Sequence, residues 1–268
     1  MRRPGRVRPK TVKSDCLLAK TSHRPWPLPS RPWTMRMRWS DLAFLHWQVP
    51  ANHLRRFLPD SLELDTFEGH AWIGIVPFKM RAVANRWGLS CPSATNFLEL
   101  NLRTYVRFGP YTGVWFFSLD ASSQLAVWGA RLTFRLPYFN ARMALLESAA
   151  AIDFSSQRRH IGQSKAAFEC CYSTHGQPIT TSQGSLEHWL TERYCLFTER
   201  PDGRISVGHI QHPAWPLQKA TVNVTRNDLG ALIDLPIKTQ PDHTLYAANL
   251  DVLAWSLESP NAGDTHAT

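Results

Sequence analysis

Little in this 268-residue chain points to a membrane, an export signal or a disulfide scaffold. No run approaches the roughly 18 consecutive apolar residues of a membrane helix, so no membrane span is expected. The N-terminal region has no apolar stretch of about 7–15 residues, which a secretory signal requires. Cysteine is sparse: Cys16, Cys91, Cys170, Cys171 and Cys195 are odd in number and show no C-x-x-C spacing. This argues against a disulfide framework or a zinc site and predicts a soluble, cytoplasmic protein. Charged residues make up 19% of the chain, below the usual value of about 25%. Beyond residue 38 the only lysines are Lys79, Lys165, Lys219 and Lys238. No internal repeat is visible, and no cofactor is expected.

What is present is an ordinary globular apolar content, 43%, with a net charge of +9 that invites a nucleic-acid reading. Counting by segment removes that invitation. Residues 1–38 hold 11 of the Lys and Arg residues against one acid, Asp15, and the rest of the chain is close to neutral. The same segment holds six prolines and no apolar run longer than Cys16 to Ala19. It is therefore expected to be disordered. It reads as a basic tail touching anionic surfaces, an organelle transit segment, or an extension ahead of a true start at Met35 or Met37. Residues 39–259 are expected to form one domain, which a single all-β fold can accommodate, and residues 260–268 a disordered end.

Strand patterns outnumber helical ones. Trp72 to Val83, Phe97 to Phe108, Val114 to Leu119, Ala166 to Tyr172, Arg193 to Thr198, Arg204 to Ile210 and Lys219 to Thr225 are short and rich in aromatic or β-branched residues. Gly, Pro, Asn and Asp clusters separate them, predicting a mainly antiparallel β-fold. Helices are expected over Ser122 to Leu132, with Asp120 as cap, over Ser185 to Leu190, with Ser185 as cap, and over Asn52 to Phe57.

The segment FLELNLRTYV, Phe97 to Val106, carries the chemistry. Strand side chains alternate, so Leu98, Leu100, Leu102, Thr104 and Val106 share one face while Glu99, Asn101, Arg103 and Tyr105 share the other. That polar face is either solvated or lines an internal cavity. Glu99 and Arg103 stand about 13 Å apart along an extended strand, too far for a tight pair. If buried, Glu99 gains a raised pKa suited to proton transfer.

Several strings resemble the YqjF-like domain-of-unknown-function family. They include HWQVP (46–50), LPDSLELDTFEGHAWIGIVPF (58–78), the strand just described and GVWFFSLDA (113–121). LPYFNARM (136–143), GSLEHWLTERYCLF (184–197) and HIQHPAWPLQKA (209–220) continue the match in order. The family in turn resembles, more distantly, the acetoacetate decarboxylase-like superfamily. This resemblance implies an antiparallel β-barrel or cone around a cavity, a few short helices, a small-molecule ligand and homo-oligomerisation. It sets Glu99 at the cavity glutamate, Asp120 at a helix start, Arg131 at an arginine and Pro137 at a proline followed by two lysines. Here Tyr138 and Phe139 stand in the lysine positions. A phenol cannot form an imine, so Schiff-base decarboxylation is not expected.

Glu99 and Tyr138 are thus the candidate catalytic residues, with Asn101, Arg103 and Arg131 as candidate ligand-binding residues. Arg131 either meets a ligand carboxylate or neutralises helix carbonyls. His209 and His212 sit at a spacing that puts strand side chains on opposite sides, so no metal site is expected. Of Glu192 and Arg193, one faces the cavity or an interface, or both lie at the surface. Three functions follow: a cavity enzyme of lyase or hydrolase type, a non-catalytic binding or sensor protein with the same pocket, and a binder of nucleic acid or anionic surfaces through residues 1–38. The near-neutral domain disfavours the third.

Overall fold

The computed structural model describes residues 14–260. Twelve strands build it: β1 (Met35–Val49), β2 (Glu63–Leu64), β3 (Ala71–Asn85), β4 (Phe97–Phe108), β5 (Tyr111–Ala121), β6 (Tyr138–Glu147), β7 (Ile152–Arg158), β8 (Ala167–His175), β9 (Cys195–Glu199), β10 (Ile205–Gln211), β11 (Leu217–Asn227) and β12 (His243–Ala254). Five helices join them: α1 (Ser14–Ala19), α2 (Ala51–Arg55), α3 (Pro92–Thr95), α4 (Gln124–Phe134) and α5 (Leu186–Thr191). The mainly-β expectation is met. Ser185 caps α5 as anticipated, its side chain accepting from the His188 amide. The cap of α4 is Ser123 rather than Asp120, because Asp120 still belongs to β5 and its carboxylate is engaged elsewhere.

All twelve strands belong to one sheet. Its pairings run β1–β3–β4–β5–β9–β10–β12 and return to β1, while β6–β7–β8–β11 forms a second path from β5 to β12. Most pairs are antiparallel, as expected of a mainly antiparallel fold, and β5 runs parallel to both β6 and β9. The wall made by β1, β3 and β4 is shared between two interiors and is buried on both sides. Ala43, Leu45, Ile73, Ile75, Leu100 and Leu102 pack toward β7, β8 and β11. Phe44, Val76, Phe78 and Met80 pack toward the other interior, where Trp215 and Leu217 meet them. Burial on both faces is why β1 and β3 read as near-continuous apolar runs rather than as clean alternation. A register shift between Ser40 and Leu45 interrupts β1, with Asp41 in the left-handed region (φ 53°). Aspartate tolerates that conformation better than most residues, and its carboxylate accepts from Tyr246 and pairs with Lys79.

The described part of the basic N-terminal segment corrects the expectation of disorder. Leu17 of α1 is buried against Leu253 and Trp255, with Leu28 and Trp33 packed beside them. Arg24 donates from Nη1 to the Ile210 carbonyl at 2.6 Å and to Gln211 at 2.8 Å, and the Gln211 amide donates to the carbonyls of Leu17 and Lys20. β1 begins at Met35, so Trp39 marks no break in the packing. A few spaced anchors suffice where a continuous apolar run is absent, because each fills a site that the sheet already provides. Residues 1–13 and 261–268, also expected to be disordered, lie outside the described residues.

Candidate functional site

β4 pairs with β3 on one side and β5 on the other, so its alternation is fixed along most of its length. Its leucine face enters the core shared with β7 and β8. The polar face therefore turns inward to the second interior, and the solvated reading of that strand does not hold: Glu99, Asn101 and Tyr105 are all buried. A cavity of about 330 Å³ lies there. Aromatic and aliphatic side chains dominate its wall, among them Trp39, Phe44, Phe78, Phe116, Phe134 and Trp215. Its charged or strongly polar lining comprises Glu99, Asn101, Arg103, Tyr138 and Arg193. Among the described residues, no lysine lines it.

Tyr138 opens β6, directly after Pro137, whose carbonyl accepts from the Leu119 amide and ties the turn to β5. Alternation then sends Tyr138 inward and Phe139 outward, where Phe139 lies edge-on to His160 and beneath the Arg158 guanidinium. The Tyr138 hydroxyl donates to Glu99 Oε2 at 2.8 Å. Burial pushes the Glu99 carboxyl up to about 8, opposed only partly by the hydrogen bonds from Tyr138 and Asn101. The Tyr138 phenol is held well above its usual value, first by burial and then by the adjoining Glu99. At pH 7 both groups are predominantly protonated.

Two guanidinium groups occupy the same interior. Arg103 lies over Phe44 at 5.7 Å and over Tyr105 at 5.8 Å, and its Nε has no hydrogen-bond partner. His46, wholly buried behind it, shares a 2.7 Å hydrogen bond with the Tyr105 hydroxyl, and burial together with Arg103 holds its pKa well below 6.5. Gly74 makes this arrangement possible: a Cβ there would stand 3.3 Å from Arg103 Nε, from His46 and from the Tyr105 hydroxyl. Arg193 lies against both Tyr105 and Trp189, at 4.9 and 4.4 Å, two rings that themselves meet at 4.7 Å, and pairs with Asp65 through Nη1 at 2.6 Å. Its Nη2 is buried without a partner, as is Asn101 Oδ1.

Four of the five expected site residues thus come together, and Arg131 does not. Arg131 is exposed on α4 and does not line the cavity; its Nη1 donates to the Tyr138 carbonyl at 3.0 Å. The helix turns it toward the outer edge of β6, so it can act on Tyr138 only through the backbone. Asp120, expected at a helix start, is a buried strand residue paired with Arg158 at 2.8 Å. Of Glu192 and Arg193, it is Arg193 that reaches the cavity, while Glu192 accepts from the Tyr194 hydroxyl and the Trp215 amide. His209 pairs with Glu258, whereas His212 contacts backbone carbonyls, so the two rings share no ligand. Sequence reasoning missed His46, Trp39 and Gly74; the pairing of β3 with β4 sets Gly74 opposite Arg103, and the pairing of β1 with β3 brings His46 and Trp39 beside them.

A family model named DUF2071 and described as an uncharacterized conserved protein matches residues 36–251. The uncharacterized protein YqjF of Bacillus subtilis (strain 168) is 40% identical over 230 residues, spanning 86% of this chain and 94% of that protein. Among solved structures, an acetoacetate decarboxylase from Legionella pneumophila superposes with a TM-score of 0.61 at 13% identity, covering 91% of this chain and 95% of its own. The enduracididine biosynthesis enzyme MppR, solved with pyruvate, gives a TM-score of 0.54 at 13% identity, covering 87% and 90%. The fold is therefore that of acetoacetate decarboxylase-like proteins. No helix among the described residues is long and apolar enough to cross a membrane.

Proposed function

This chain belongs to the DUF2071 family, and from that premise we propose that its interior cavity binds a small organic acid or carbonyl compound and moves a proton on it without forming a Schiff base. The hydrogen-bonded Glu99–Tyr138 pair carries the reading: a carboxyl with its pKa raised to about 8 is poised to donate or accept near neutral pH. Arg103 brings an unpaired donor, Nε, to the same chamber, where an anion or carbonyl oxygen would satisfy it, and Asn101 brings an unpaired acceptor, Oδ1, suited to a hydroxyl or acid proton. These groups can serve proton transfer in a lyase-type elimination, or in a hydrolase-type reaction with water as the second substrate. A pyruvate complex of the structurally similar MppR supports a ligand with a carboxylate and a carbonyl. Imine chemistry is disfavoured by a lining that holds no lysine among the described residues; that same observation favours a second reading, a binding or sensor protein whose ligand leaves unchanged.

Mass spectrometry of small molecules released from the folded protein tests the reading directly. An organic acid or carbonyl compound is expected, bound at least tenfold more weakly by Glu99→Gln. Wild-type levels of binding and turnover in that variant, with an unchanged melting profile, would remove Glu99 from the site. Borohydride with acetoacetate is expected to leave the chain mass unaltered; a reduced lysine adduct would overturn the absence of Schiff-base chemistry.

A further inference from the structure

The charges and dimensions of the chamber narrow the ligand class. Its lining carries one carboxyl, Glu99, and two guanidinium groups, Arg103 and Arg193. Arg193 is already balanced by Asp65, and Glu99 is held mainly neutral below pH 8. Arg103 makes no ion pair among the described residues. One positive charge is left over, which matches a monoanion; a dianion would bring a buried negative charge with nothing to meet it. Both guanidinium groups lie against the same ring, Tyr105, at 5.8 and 4.9 Å, and each leaves a buried nitrogen unpaired.

The rest of the chamber is far larger than a two- or three-carbon acid needs. A cavity of about 150 Å³ already holds benzene, and this one is about 330 Å³ with an almost wholly apolar wall. Short polar acids would leave most of that wall wet or empty. Distance along β4 separates the two chemical ends. Arg103 is two residues beyond Asn101 and four beyond Glu99, about 13 Å in strand length. The Glu99–Tyr138 end also meets α4, where Leu125, Gly129 and Thr133, one helical turn apart, both line the cavity and reach solvent. Ligand access from that side would bring the apolar body past α4 and the anion to the far arginines.

We propose that the ligand is a monocarboxylate with an extended apolar body, of arylalkanoate or medium-chain size, its carboxylate set between Arg103 and Arg193 and its distal group beside Glu99 and Tyr138. This rests on the cavity-binding function proposed above and specifies its substrate class. The decisive measurement is calorimetric titration of the full chain at pH 7 with pyruvate, 4-phenylbutyrate, octanoate and 4-phenylbutyramide. The two apolar acids are expected to bind at least tenfold more tightly than pyruvate, and 4-phenylbutyrate at least tenfold more tightly than its amide. Arg103→Met should erase the preference of acid over amide while retaining amide binding. The comparison of acid with amide in the wild type keeps the charge claim testable if that variant does not fold. Pyruvate binding as tightly as 4-phenylbutyrate would overturn the extended ligand and leave the small-acid function standing. Equal binding of acid and amide would overturn the carboxylate seat. No binding by any of the acids would remove both this inference and the function on which it rests.

Discussion

A carboxyl buried beside a phenol sets the pH behaviour of the site. Glu99 has its pKa raised to about 8 by burial, whereas an unfolded chain would titrate it near about 4.3. Its neutral form is therefore favoured by the fold: the contribution is fully present below about pH 4 and is lost as pH rises toward 8. Between those limits the native state holds a proton that the unfolded state has released, so this one group should lower unfolding free energy by up to about 1.4 kcal/mol per pH unit. Glu99→Gln keeps the shape and removes the titration. Urea unfolding of the two proteins at pH 5, 6, 7 and 8 should show the variant gaining relative stability at each step; parallel curves would mean that Glu99 is not buried as a neutral acid.

The Asp120–Arg158 pair behaves differently, because both partners are buried and bonded to each other. Burial raises the Asp120 pKa to about 6, and Arg158 opposes that shift. Asp120→Ala leaves a buried guanidinium without its anion and is expected to cost about 3–5 kcal/mol. Chemical denaturation would show this as a midpoint shift; a loss below about 1 kcal/mol would place the pair in solvent. The alternation of FLELNLRTYV made Glu99, Asn101, Arg103 and Tyr105 legible as one face. What one strand cannot say is which side of it holds the core, and that is why composition alone favours a solvated face for it, whereas the placing of β3, β5 and β7 turns that face inward.

At the scale of elements, α4 is the least committed part of the site. Val127 alone among its residues is fully buried, while Leu125, Trp128 and Leu132 are exposed. Gly129 sits in its interior at the cavity mouth, and a Cβ there would meet no atom within 4 Å. Gly129→Ala should therefore stabilise the fold by about 0.5–1 kcal/mol, the ordinary helix-interior gain over glycine. A higher thermal midpoint checks this, and a lower one would mean that the space is occupied. At the other end Ser123 accepts from the Ala126 amide, so Ser123→Ala is expected to cost about 1 kcal/mol.

Element boundaries were readable where aromatic and β-branched residues cluster, as in β3, β4 and β10. β6 was not: its sequence YFNARMALLE is rich in Ala, Leu, Met, Arg and Glu, which favour helix by propensity. It becomes a strand because β5 and β7 pair with it on both sides. β1 and β12 were obscured for another reason. β1 alternates apolar and basic residues only over Met35 to Trp39 and is buried without a break over residues 40–47, so no period-2 pattern spans the strand.

Across the whole molecule, the described part of the N-terminal segment, residues 14–34, proves to be part of the packing. Removing residues 1–34 would uncover Leu253 and Trp255 and leave Gln211 without the carbonyls of Leu17 and Lys20. That change should lower stability by on the order of 3 kcal/mol, measured by urea midpoint; an unchanged midpoint would mean that the segment only rests on the surface. The sequence by itself determined the mainly-β class, the family, the segregation of basic charge and the residue types available for proton transfer, because composition and period-2 alternation are local properties. Tertiary structure decided which face of β4 is inward, which arginines share its chamber, and that Arg131 is not one of them. Those outcomes depend on strand pairing between residues far apart in the chain, and no local pattern encodes the side to which a paired strand turns.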